Sequence, residues 1–184
     1  MESWMTDPEA AWHAKLSRAN THRETLGKLV DEFEASHPYT LTPEPGDKPD
    51  EMAYRLRIPK EAPAEISTVV GDVLHNLRSA LDSLAYELAV RSKGQALTKE
   101  EERLTSFPWC QHPSEYDGLM QGSLYGPEPQ KAMRVAQPFY LAEMANEPES
   151  QRRQHSEEDF KWSGIYRLGQ LSNIDKHRRL PAIG

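Results

Sequence analysis

Apolar residues recur at three- and four-residue steps along the middle of the chain: Ile66, Val70, Val73, Leu74, Leu77, Leu81, Leu84 and Leu88. That spacing predicts one long helix from about Ala64 to Ser92, with a single buried stripe and a stop before Lys93-Gly94. At about 100° per residue, Asp72, His75, Arg78, Ser79, Asp82 and Tyr86 fall on the opposite side. An exposed helix face is ordinarily filled with Lys and Glu. This one carries residues able to build a hydrogen-bonded site.

The same periodicity places a first helix ahead of it. Asp7-Pro8 supplies an N-cap and a proline at the first helical position. Trp12, Leu16, Ala19, Leu26, Val30 and Phe33 continue the stripe to about Ser36. His37-Pro38 ends it, because the residue before a proline is pushed out of the helical region. From 39 to 60 the period changes to two: Met52, Tyr54, Leu56 and Ile58 alternate with Ala53, Arg55 and Arg57. Tyr39 and Leu41 form a weaker partner across the turn-forming run Pro43 to Asp50, so the segment reads as a β-hairpin flap covering one end of the helices.

Downstream, a short helix is expected over Thr98–Leu104. The Pro-, Gly- and Tyr-rich stretch between Phe107 and Pro129 reads as a long loop, at about 105–127. A helix follows over Glu128–Asn146, bent at Gln137-Pro138. A polar linker precedes a last helix from Ser156 to about Arg178. The expected fold is mainly α: one domain over 1–184, an antiparallel helical bundle with a small inserted β-hairpin.

Composition narrows the class. The chain has 184 residues, 37% hydrophobic and 28% charged, and no apolar run long enough for a membrane span. The first residues lack the basic start and apolar core of a signal peptide, and a lone cysteine, Cys110, excludes an intrachain disulfide framework. The expected location is cytoplasmic. Net charge is −7, which argues against a surface coated with nucleic-acid contacts. Seven Lys/Arg against four Asp/Glu make the segment from Gln151 to Gly184 +3, leaving −10 on the first 150 residues. That basic end fits either a local phosphate contact or cations complementing a helix C-terminus.

The last helix carries a second polar stripe. Tyr166, Gln170, Asn173 and His177 share one side, while Phe160, Gly164, Leu168, Leu171 and Ile174 share the expected core side. If the two polar stripes face each other, Asp72, His75, Asn76, Arg78 and Asp82 meet Asn173 and His177. The candidate catalytic residues are then His75, Arg78 and His177, and the candidate binding residues Asp72, Asn76, Asp82, Asn173, Lys176 and Arg178. Each also has a structural reading: His75 and His177 as donors bridging helices, Arg78 and Asp82 as an i,i+4 ion pair. No metal and no cofactor are expected. Asp72-x-x-His75 has a ligand-like step but occurs once, and no Gly-rich phosphate loop or nucleophile elbow is present.

Gly71-Asp72-x-Leu74-His75-Asn76-Leu77-Arg78-Ser79-Ala80-Leu81-Asp82, with the later Asn173-Ile174-Asp175-Lys176-His177-Arg178, resembles a family of bacterial, mostly actinobacterial, proteins that has no assigned activity. The resemblance takes in His37-Pro38-Tyr39, Phe107-Pro108 and Gln137-Pro138-Phe139-Tyr140, where the family is expected to read Gln-Pro-Tyr. It spans about 30–180; members of the family are expected to continue into a further strand region, and a chain ending at Gly184 fits a short natural form or a truncated one equally. More distantly the chain is similar to the HEPN superfamily of helical bundles, many of them metal-independent ribonucleases with an Arg-x4–6-His signature. Here Ser83 stands where the first motif would place that histidine.

Two functions therefore compete. One is a non-catalytic domain whose polar cluster fixes helix registry and whose flap binds a partner; for the chain as a whole, RNA, another protein and a second copy in a homodimer all stay open as partners. The other is an RNA-binding or RNA-cleaving domain, with Arg78 on a phosphate and His75 or His177 moving a proton. The sequence leaves open whether the protein is an enzyme. Convergence of His75, Arg78 and His177 in an open cleft would favour the second.

Overall fold

The central helix forms where the hydrophobic period places it. The structure, a computed structural model, describes residues 11–46, 48, 51–58, 60–140 and 164–177. In it α1 spans Ala11–Ala35, β1 Thr40–Pro45, β2 Met52–Arg57, α2 Ala64–Lys93, α3 Lys99–Glu102, α4 Pro113–Met120, α5 Pro127–Val135 and α6 Gly164–His177. Gly94 closes α2 at φ 72°, donating its N–H to the carbonyls of Val90 and Arg91, a left-handed cap that favours glycine. The protein is mainly helical with one small antiparallel sheet. No described helix is long and apolar enough to cross a membrane.

α1 runs antiparallel to α2. Lys15 Nζ reaches the carbonyl of Ser79 (3.4 Å) and the Ser83 hydroxyl, while seven residues further along α1 His22 Nδ1 lies 4.0 Å from the Asp72 carboxylate. Ala19, between them, is the fully covered residue of α1. α1 ends where His37-Pro38 demands it, with His37 turned out of the helix at φ 48°. The burial of α2 differs from the single stripe expected. Only Leu74 of that stripe is buried; Ile66, Val70, Val73, Leu77, Leu81, Leu84 and Leu88 are half-buried. The other deeply covered positions are mostly small: Val69, Gly71, Ala80, Ala85 and Ala89. Small side chains let neighbours approach the backbone, so coverage extends around most of the helix.

The stretch expected to be a long loop at 105–127 is instead the centre of the core. Phe107, Cys110, Tyr116, Met120 and Tyr125 are buried there, and they join Met133, Phe139, Ala85 and Ala89 in one cluster. α4 lies inside the stretch, started by Pro113 at its first turn, and α5 starts at Pro127 in the same way. The bend expected at Gln137-Pro138 is present: α5 stops at Val135, and helical backbone resumes at 138–140. The short third helix has a full capping box, Thr98 with Glu101.

One polar side chain holds the core together. Gln137 is 1% exposed. Its Oε1 accepts the N–H of Cys110 (3.1 Å), and its Nε2 donates to the carbonyls of Pro108 (3.1 Å) and Met133 (3.0 Å). A buried amide is tolerated only when satisfied, and this one also satisfies three backbone groups.

The hairpin is confirmed, with Leu41 opposite Leu56 and Pro43 opposite Tyr54. Its expected role as a cover for the helices is not. Every residue of β2 is exposed, as is all of β1 except half-buried Glu44.

Replacing Gln137 with Ala leaves the Cys110 N–H and the Pro108 carbonyl unpaired in the core. The expected loss is about 2–4 kcal/mol in urea melts, the scale of a broken buried network. Alkaline pH provides a second check. Burial, reinforced by nearby Glu115, pushes the Cys110 thiol up to about 11. Burial likewise pushes the hydroxyls of Tyr116 and Tyr125 up to about 12. The unfolded chain releases these protons first, so the folded state loses ground as pH rises. The melting temperature is expected to fall progressively from about pH 9 towards 12. A flat profile from pH 8 to 11 would contradict burial of these groups.

Candidate functional site

Arg78 leaves the polar side of α2 at the point where α6 packs against it. Its Nη1 donates to Asn173 Oδ1 (3.3 Å), and its guanidinium lies over the indole of Trp109, 5.3 Å from the ring centroid. The two halves of the expected cluster thus meet, at this one pair. Arg78 and Asn173 line a cleft of about 160 Å³ with Trp109, Cys110, Gln111, Gln137, Pro138, Gly169 and Gln170.

The segment 107–111 forms one wall, and two side chains fix it. Asp82 Oδ1 accepts the N–H of Phe107 (3.0 Å), and the Gln137 amide grips Pro108 and Cys110. Trp109 is therefore held from both sides. Its ring also meets Phe107 edge-on, with centroids 5.4 Å apart. Its other neighbour is Gly169 of α6, where an added Cβ would sit 3.1 Å from Trp109 Cε3. Glycine is what lets α6 come this close to the indole.

The electrostatics follow from Asp82. The i,i+4 spacing offers Asp82 an ion pair with Arg78, one turn away. Asp82 instead turns to the Phe107 N–H, and among the described residues no carboxylate lies within salt-bridge distance of Arg78. The half-buried guanidinium is left with a neutral amide and an aromatic face for partners. Such a cation–π contact contributes about 0.5–2 kcal/mol and leaves the positive charge unneutralised. The side chains around the cleft (Gln111, Gln137, Gln170, Asn173) are uncharged. The Cys110 thiol, its pKa raised by burial, stays protonated at neutral pH.

The remaining candidates do not join the cleft. Asp72 faces His22 on α1, not α6. Asn76 donates back to the carbonyl of Asp72 (2.8 Å), a contact within α2. His75 is exposed and does not line the cleft. The side chains of Lys176 and His177 and all of Arg178 lie outside the described residues. The expectation that the whole polar side of α2 faces the last helix is thus corrected. α1 takes the Asp72–Ser79–Ser83 side, the 107–111 segment takes Asp82, and Arg78 alone of the described α2 candidates reaches α6. The core side assigned to the last helix is also rotated: Ser172 is buried, whereas Leu171 and Ile174 are more than a third exposed.

The residues that the sequence did not single out are Trp109, Gly169 and Gln137. Trp109 lies in the stretch whose composition reads as a loop, although Phe107-Pro108-Trp109-Cys110 is an apolar run in polar surroundings. Gln137 figures in the sequence as the site of a bend and as part of the Gln137-Pro138-Phe139-Tyr140 motif, neither of which points to a buried amide. The chain matches no protein-family model, no curated protein and no solved structure.

Gly169→Ala forces the pinned indole to yield by a few tenths of an ångström. The expected result is a loss of about 1–3 kcal/mol in thermal or urea melts, the range for overpacking, together with a changed tryptophan emission. An unchanged spectrum and stability would mean that α6 and Trp109 are not in contact.

Proposed function

We propose that this chain is a binding domain that captures one anionic group, a carboxylate or a phosphate, of a partner in the Arg78–Trp109 cleft. One observation carries the reading: a half-buried guanidinium, oriented by Asn173 and Trp109, that has no carboxylate to neutralise it among the described residues. Guanidinium groups recognise planar or tetrahedral oxyanions through paired N–H donors, and here the side chain is already held in place. The neighbouring glutamine and asparagine amides add donors without competing charge. A cleft of about 160 Å³ is smaller than the roughly 300 Å³ or more of a drug-sized pocket, which suits one functional group of a larger partner. The described lining contains no histidine and only a protonated thiol, so it offers binding groups and no evident proton shuttle.

The test is a titration with inorganic phosphate and with acetate, following tryptophan emission. Saturable change is expected, weakening as ionic strength rises, since the attraction is charge-based. Arg78→Gln should abolish it while retaining the fold, and Trp109→Phe should remove the signal. Absence of saturation with both anions would refute the proposal.

RNA cleavage of the HEPN type is the second reading. It is favoured by Arg78 of the first motif standing on the cleft wall, with position 177 one helical turn beyond Asn173. Against it, one face of the Trp109 indole carries the Arg78 guanidinium and Gly169 crowds its edge, which leaves little of the platform on which single-stranded bases stack. A wild-type protein that cuts RNA, with the cut lost in Arg78→Ala and in His177→Ala, would replace binding with catalysis.

A further inference from the structure

The hairpin presents a surface that neither the fold nor the cleft uses. Its register places Leu41 opposite Leu56, Pro43 opposite Tyr54 and Pro45 opposite Met52. Since side chains alternate across a strand, these six share one face, and the alternation carries Tyr39 and Ile58 to the same side. The other face holds Thr40, Thr42, Glu44, Ala53, Arg55 and Arg57, with Arg55 bonded to Glu44 at 2.9 Å. One side of the hairpin is therefore wholly apolar and the other is polar.

The apolar side lies in solvent. Tyr54 is 67% exposed, Met52 64%, Leu41 60% and Leu56 56%, and Tyr39 and Ile58 are also exposed. For six such side chains this amounts to roughly 600 Å² of contiguous apolar surface, at the upper limit for the largest patch on an ordinary monomer. A two-stranded hairpin is marginal by itself and needs a covered hydrophobic face to persist.

The hydrogen-bond phase narrows how that face can be covered. Gly46 donates to the Glu51 carbonyl (2.8 Å), which makes 46, 44, 42 and 40 the residues that bond inward. Leu41, Pro43 and Pro45 therefore turn their backbone groups to the outer edge of β1, and the two prolines have no N–H to offer there. Strand addition at that edge is disfavoured, with Leu41 the one N–H donor among the three. The apolar face is the larger surface the hairpin offers for binding.

We propose that the apolar face of the hairpin packs against the same face of a second copy of this chain, related by a two-fold axis. Two copies would remove about 1,200 Å² from water, the lower end of what stable interfaces bury. The face carries no charged residue, so self-packing desolvates no ion pair, and Glu44, Arg55 and Arg57 stay in water on the far side. An isologous contact of this kind closes at two copies. The Arg78–Trp109 cleft lies on other elements, so the proposal stands apart from the anion-binding reading.

Sedimentation equilibrium of the full chain tests it. A concentration-dependent dimer is expected, with Tyr54→Lys plus Leu56→Lys shifting the protein to monomer. A wild-type protein that stays monomeric at high concentration, or a doubly substituted one as dimeric as wild type, overturns it. Thr42→Cys, on the polar face, gives a readout that leaves the contact surface intact. Cys110 is buried and unreactive, so a nitroxide label enters at position 42 alone. Face-to-face sheets lie about 10 Å apart, so labels on the outer faces should give a dipolar distance of roughly 20–30 Å between copies. Absence of that coupling in a dimeric sample also overturns the proposal.

Discussion

The three hydrogen bonds of the Gln137 amide are the constraint on which the rest of the structure depends. Its carbonyl and amino groups engage the segment 108–110 on one side and α5 on the other. The segment so fixed brings Phe107 and Cys110 into the core and sets Trp109 at its border. A loop of that length has no hydrogen-bond ladder of its own. Without an internal partner, its buried backbone groups would each cost about 1–3 kcal/mol. A single glutamine satisfies two of them, and Asp82 satisfies a third at Phe107. The polar groups here do the work that a sheet ladder does elsewhere, and the apolar cluster can then close around them.

The use of Asp82 for this purpose has an electrostatic consequence. A carboxylate four residues after an arginine on one helix would normally take up its charge. By accepting a backbone N–H across to the loop, Asp82 trades a weak exposed ion pair, worth about 0.3–0.5 kcal/mol, for a structural bond to a part-buried group. Arg78 is left positive in a chain of net charge −7. The loop's stability and the cleft's charge thus have one origin, since the residue that anchors the first also withholds neutralisation from the second.

Much of this was legible in the sequence, unevenly. The long helix at Ala64–Lys93 and the hairpin were readable because their periods are strong and their boundaries carry Gly94 and Pro38. The core between 105 and 140 was not, because its elements are short. α4 has eight residues and α5 nine, too few for a period of 3.6 to stand out from a Pro- and Gly-rich background. His112-Pro113 and Gly126-Pro127 were the available signals, since proline after a break marks a first helical turn as readily as a loop. Among the site residues, the Arg78–Asn173 contact followed from matching two polar stripes. The partition of the stripe around α2 did not, because a helical projection gives angles and not neighbours. Asp72 is about 80° from Asp82 on that projection, enough for one to face α1 and the other the loop.

The hairpin and the bundle answer the same problem in opposite ways. In the bundle, small side chains at Ala80, Ala85 and Ala89 permit close approach, and apolar area is removed from water by neighbours within the chain. In the hairpin, Tyr54, Leu56 and Met52 are large and stand away from the helices, so the same chemistry leaves their area in water. At about 25 cal/mol per Å², roughly 600 Å² left in water corresponds to on the order of 15 kcal/mol of apolar transfer not realised within one chain. Only part of that would survive the entropy lost on association. The remainder is still large against the net stability of an ordinary domain, about 5–15 kcal/mol. The prolines at 43 and 45 bear on how it can be used. They deprive one strand edge of donors, and so oppose open-ended strand addition there, while leaving the face free. A surface that closes on its own copy satisfies both conditions at once.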